Sequence, residues 1–171
     1  HKREFIDEAQ YGKKFADILP AADYRLASHK AKRGVFTFCM CPGGVVIPSA
    51  SEPGGVVTNG MSLYARDGVN SNSAVLCEIY PSDFYDGVLG GVELQREIER
   101  KAFVLGGSDY SAPVQKLEDF YAIRRTERFG SVRPTYERNM PSDLNGLFPQ
   151  IVTESIKIGI SDMENKLKGF S

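Results

Sequence analysis

Between residues 22 and 80 the sequence holds about five short β-leaning runs with no helical period between them, and this limits the fold more than any other feature. Tyr24, Leu26 and Ser28 alternate with Arg25 and Ala27, and Gly34 to Met40 follows after the polar Lys30 to Arg33, so a hairpin is expected. Val45 to Pro48 and Gly55 to Thr58 form the next pair around the Ser49–Gly54 loop, with Met61 to Tyr64 continuing the second run. Arg66 to Asn72 is rich in turn residues, and Ala74 to Tyr80 is the last run. Strands joined this briefly pair antiparallel, since a parallel crossover needs a dozen or more residues. The expectation is a mostly antiparallel sheet or a barrel-like closure of it.

The second half has a different period. Val88, Leu89, Val92, Gln95, Ile98, Ala102 and Leu105 recur at near-helical spacing, and Gly106-Gly107 ends the pattern, which predicts a helix over 89–105. Val152, Ile156, Ile160, Met163 and Leu167 follow Pro149 at offsets of three and four, which predicts a closing helix over 149–168. Gly159 inside it costs about 1 kcal/mol relative to alanine, so tertiary packing has to hold that helix. Arg3 to Phe15, with Gly12 as its stop, and Gln115 to Ile123 are shorter helical candidates. The fold class is therefore α+β, a single domain with two to four packing helices, β-rich over about 22–80 and helical over about 88–168.

Twenty-one basic against 22 acidic residues leave a net charge of −1. That balance argues against a general nucleic-acid or membrane-surface binder, which needs a basic excess. No apolar run approaches the ~20 residues of a bilayer span. Three cysteines with no framework spacing read as reduced thiols in the cytoplasm. The chain begins at His1 without a methionine and enters ordered sequence at once, which reads as an excerpt of a longer protein.

The stretch with most chemical character is Phe36-Thr37-Phe38-Cys39-Met40-Cys41-Pro42-Gly43-Gly44, with Asn59-Gly60-Met61-Ser62 beyond it. As a strand it would set Phe36, Phe38 and Met40 on one face and the two thiols on the other. Pro42-Gly43-Gly44 then ends the strand and leaves bare backbone that a flat ligand, or another chain segment, can approach closely. Arg66 and Asn72 join this set as hydrogen-bond donors in the following loop. Cys39 and Cys41 could instead form a redox dithiol or, with Cys77 and His29, a metal site, although a one-residue spacing is wrong for paired zinc ligands and strains a disulfide. With only His1 and His29 available, and neither beside an obvious nucleophile, a hydrolase triad has little support. Neither Gly-x-Gly-x-x-Gly nor a Walker-type loop occurs. Arg124, Arg125, Arg128, Arg133 and Arg138 could hold a phosphate, an acidic protein or nucleic acid, but Glu127 and Glu137 among them make a solvated ion-pair face the commoner reading.

The run Arg33 to Gly44, followed by Ser51-Glu52, Asn59 to Ser62, Arg66 and Asn72-Ser73-Ala74, resembles the middle region of bacterial FAD-dependent dehydrogenases, also called NAD(FAD)-utilizing dehydrogenases. Ile6-Asp7, Gln10-Tyr11-Gly12, Ala21-Ala22-Asp23-Tyr24, Gly91 to Arg96, Ala112 to Gln115, Asp119-Phe120 and Gly169-Phe170 agree with the same family in the same order. The resemblance implies FAD in the full-length protein, on a Rossmann-type domain whose two glycine-rich motifs lie outside these residues. It makes 1–171 an inserted substrate or cap domain whose partners are its own FAD-binding domain and a small-molecule substrate. Cys39, Met40, Cys41, Pro42, Gly43, Gly44, Asn59, Gly60, Met61, Ser62, Arg66 and Asn72 would then face flavin or substrate. On this reading the isolated domain is inactive and keeps no FAD. Catalytic residues and any use of NAD(P) stay open.

Overall fold

The spacing of apolar residues at the C-terminal end does form a helix. The computed structural model describes residues 1–171, and α5 (Gln150–Lys166) carries Val152, Ile160 and Met163 into the interior, with Leu167 buried just past its end. Pro149 caps the helix from outside rather than opening its first turn. Gly159 has a packing reason. A Cβ there would lie 2.6 Å from the Val35 side chain, so glycine lets α5 settle against the sheet at a distance no other residue permits.

That sheet has three strands, β1 (Ala27–Ser28), β2 (Val35–Cys41) and β5 (Asn72–Cys77), in the antiparallel order β1-β2-β5. A separate antiparallel hairpin, β3 (Gly44–Pro48) with β4 (Thr58–Ser62), pairs Gly44 with Ser62 and Pro48 with Thr58. The expected barrel does not close, because no strand links these two sheets. The second hairpin strand also starts later than expected, at Thr58 rather than Gly55, since the Val56 amide donates to Glu99 O instead (3.1 Å).

The expected shared face of Phe36, Phe38 and Met40 is broken at Met40. Val35 is fully buried while Phe38 is 58% exposed, so the large aromatics point away from the core. Between Phe38 and Cys41 the register with β5 slips, and Cys39 takes a left-handed φ of 44°. This bulge reverses the alternation, and Met40 joins Val75 and Cys77 against the first core.

That core comprises Ile6, Ala22, Tyr24, Val35, Ile160, Met163, Leu167 and Phe170. It is reached at one end by α1 (Arg3–Tyr11), which places Ile6 inside; a four-residue turn, α2 (Lys13–Ala16), follows Gly12. Asp7 fastens α1 by accepting the Ala22 amide (2.7 Å) and pairing with Arg3 (2.9 Å). Asp162 fastens α5: its buried carboxylate meets Lys30 (2.5 Å) and Lys166 (3.0 Å). Those two ammoniums, with the Ser28 hydroxyl, hold its carboxyl well below the ordinary range.

A second cluster, Val56, Ala102, Ala112, Tyr136 and Leu147, lies under α3 (Gly90–Leu105). The helix begins later than its pattern predicts: Val88 and Leu89 precede it, fully exposed and 61% exposed, and the buried positions are Gly90, Leu94 and Ala102. Beside it runs a short parallel pair, β6 (Ala112–Val114) with β7 (Asn139–Pro141), which the pattern does not foretell. The helix expected over 115–123 is the shorter α4 (Leu117–Tyr121), closed by Asp119, which accepts from Arg124 (2.6 Å) and Thr126 (2.8 Å). No helix is long and apolar enough to cross a membrane.

Candidate functional site

The turn at Pro42-Gly43 connects β2 to β3 and draws three separated stretches together. Gly43 has a φ of 52°, and its carbonyl accepts the Gly68 amide (3.1 Å). A Cβ on Gly43 would stand 1.9 Å from the Arg66 carbonyl, so only glycine lets the 63–71 loop lie on this turn. The Ser62 hydroxyl donates to Pro42 O (3.2 Å), and the Asn72 amide donates to Val45 O (3.4 Å). Cys41 pairs with Asn72 within the three-stranded sheet, and both side chains crowd Gly60 of the neighbouring hairpin: an added Cβ would meet Asn72 Oδ1 at 2.1 Å and Cys41 Sγ at 3.1 Å. Cys41, Pro42, Gly43, Gly44, Gly60, Ser62, Arg66 and Asn72 therefore meet in one corner, with Cys39 and Met40 leading into it along β2 and Asn59 and Met61 flanking Gly60 on β4.

They divide into two groups there. Pro42, Gly43 and Gly44 are buried and Met40, Cys41, Gly60, Ser62 and Asn72 are partly covered, whereas Cys39, Asn59, Met61 and Arg66 are exposed. The bare backbone at Gly43 is approached by another chain segment, the protein's own 63–71 loop. Cys39 and Arg66 both hold left-handed φ values, 44° and 52°, which non-glycine residues keep only when their surroundings impose them.

Two residues outside the sequence-derived set complete the corner. The Gly43 amide donates to the buried Ser71 hydroxyl (3.2 Å), and the Ser71 amide donates to the carbonyl of His1 (3.0 Å). The His1 ring stacks at 5.5 Å from Tyr24 and 5.8 Å from Phe170, so both ends of the described residues meet behind the turn. Burial pushes the Tyr24 hydroxyl up to about 12; it donates to Ser73 (2.9 Å) and meets His1 Nε2 at 3.1 Å. Ser71 gave no signal in the sequence because one serine in a polar loop is ordinary.

The other candidate chemistries are not assembled. All three thiols are free; Cys41 donates to Cys39 O (3.4 Å), and burial raises the Cys77 thiol. His29 packs edge-on against Phe36 at 5.4 Å, and no three His, Cys, Asp or Glu side chains converge as metal ligands would. In the arginine-rich stretch Arg124 pairs with Asp119 and Arg138 with Asp109.

An α+β domain with an open three-stranded sheet, its ends joined behind a glycine turn, is the class that fold and corner define. The chain belongs to the family described as FAD-dependent protein, C-terminal domain-like, which matches residues 1–171. A protein of Clostridium beijerinckii, described as an uncharacterized protein, is 46% identical over 176 residues, covering 100% of this chain and 33% of that relative. The chain thus spans about a third of the relative's length.

Proposed function

We propose that this domain is the substrate-binding cap of a cytoplasmic FAD-dependent dehydrogenase, inserted into a longer polypeptide that carries the flavin. The carrying observation is the hydrogen-bonded path from the Gly43 turn through Ser71 to His1, beside Phe170. It sets the corner beside His1 and Phe170, and on the cap reading the flavin-bearing polypeptide would be its neighbour. The family match supplies the flavin.

The residues fit a wall beside a flavin ring better than a cradle for its phosphates. The spaces at Gly43, Gly44 and Gly60 are filled by Arg66 O, Met61 O and Asn72 of the chain itself. What remains outward is Cys39 on β2 and Asn59 and Met61 on β4, all neutral, with Arg66 exposed in the following loop. When bound, the flavin supplies electron transfer with the substrate. This chain's share is to shape the cleft: Met61 covers apolar substrate surface, Asn59 offers an amide to a polar substrate group, and Arg66 attracts an anionic one.

In the full-length, FAD-loaded protein, alkylation of Cys39 with iodoacetamide should shift the visible flavin absorption band, with peptide mass identifying the modified thiol. Complete modification of Cys39 without any change in that band would sink the reading. Residues 1–171 alone should retain no flavin after purification.

A further inference from the structure

We propose that the 63–71 loop and the first turn of α1 form the surface on which the flavin-binding part of the same polypeptide seats. This rests on the cap reading and adds the contact surface to it. Phe5, Leu63, Tyr64 and Val69 are its apolar members, at 45%, 47%, 106% and 75% exposure.

The 68–70 end of the loop is tied to the start of α1. The Arg3 amide donates to Val69 O (2.9 Å), the Arg3 guanidinium to Gly68 O (3.2 Å), and Lys2 bridges to Asn70. Phe5 Cβ lies 3.6 Å from where a Cβ on Gly169 would be, so Phe5 borders the last residues as closely as Val69 borders the first. An interface between domains of one chain buries about 600–1,500 Å², which requires several large apolar side chains on one face. Here Phe5 and Val69 border Gly169 and Arg3, and about two thirds of the Clostridium beijerinckii relative lies outside the aligned region. Tyr85, Val88 and Leu89 make a comparable patch beyond the opposite end of β5, where Cys77 pairs with Val35, but no chain end lies there.

The occupant is a large body tethered at the patch. A tethered partner faces a high effective concentration, so a modest apolar surface suffices to hold it. The Gly43–Gly68 hydrogen bond couples that seating to the glycine turn that follows Cys39, because the loop that meets the partner also packs on that turn.

The experiment is hydroxyl-radical footprinting of the FAD-loaded full-length protein, read by peptide mass. Tyr64 is compared with Tyr85 and Val69 with Val88, so chemistry is matched within each pair. In the domain alone Tyr64 is the more exposed tyrosine, yet in the full chain it should oxidise at least about tenfold more slowly than Tyr85. Equal or faster oxidation of Tyr64 overturns the proposal. The Cys39 alkylation test separates the two claims: a protected corner without a flavin shift keeps the interface and removes the cap reading, and a flavin shift with an oxidisable corner does the reverse. As a second measurement, Tyr64→Asp with Val69→Asp should raise oxidation of Phe5, while Val88→Asp leaves it unchanged; an unmoved Phe5 rate in the double variant counts against the interface.

Discussion

The two hydrophobic clusters of this domain are built differently. The first seals Ile6, Val35 and Met163 to 0% exposure and gathers both chain ends, the glycine turn and α5 around them. The second keeps each of its five members at 3–9% exposure and borders an open groove of about 880 Å³ lined by Tyr85, Glu97, Val104 and Leu147. The difference shows where precision is concentrated. A corner that has to hold two strained residues, Cys39 and Arg66, needs a rigid base, and the first cluster supplies it. The groove lies along α3, away from the corner, and part of its charge is internally paired: Tyr85 donates to Glu97 (2.5 Å), which also meets Lys101 (2.6 Å).

The sharpest test of that contrast is a pair of truncations. Met163→Ala leaves a cavity with no solvent route for collapse and should cost about 3–5 kcal/mol, whereas Leu147→Ala, beside the groove, should cost about 2–3 kcal/mol. Urea denaturation of both variants checks it, and equal midpoints would show the clusters to be equally tight. Gly43→Ala comes next, at about 1–3 kcal/mol, from the left-handed φ and the contact with Arg66 O. Its effect should reach the corner, so faster alkylation of Cys39 should accompany the lost stability.

The smallest effect belongs to Asp162 and depends on pH. Its carboxyl is depressed in the folded state, so its contribution is present above the unfolded value of about 3.9 and disappears as pH falls toward the folded one. Asp162→Asn should therefore be less stable than the parent at pH 7, and the gap should narrow below about pH 4. Thermal melts across that range measure it; a gap independent of pH would mean that Asp162 is not held ionised.

Local pattern carried much of this fold. The offsets from Val152 to Leu167 name a helix and its buried stripe, because in an amphipathic helix the stripe is the signal. That the 45–48 run pairs with a later strand was also legible, since the serine-, proline- and glycine-rich Ser49–Gly54 loop returns the chain on itself. Other features left no trace. Three-residue β6 and β7, each with a proline, show no alternation and pair only because α3 and the 139–141 segment are brought side by side. The exposure of Phe38 was not legible because alternation names two faces without saying which is inside.

The sequence by itself determined an α+β chain with a closing amphipathic helix and a glycine turn among strands, because turn chemistry and periodicity are properties of neighbouring residues. Only the tertiary structure decided which face of β2 was buried, that the 63–71 loop rather than a ligand fills the space over Gly43, and that Ser71 ties this turn to His1. Those outcomes depend on contacts between residues far apart in the chain, whose distances are set by how α5 packs on the sheet and not by any local pattern.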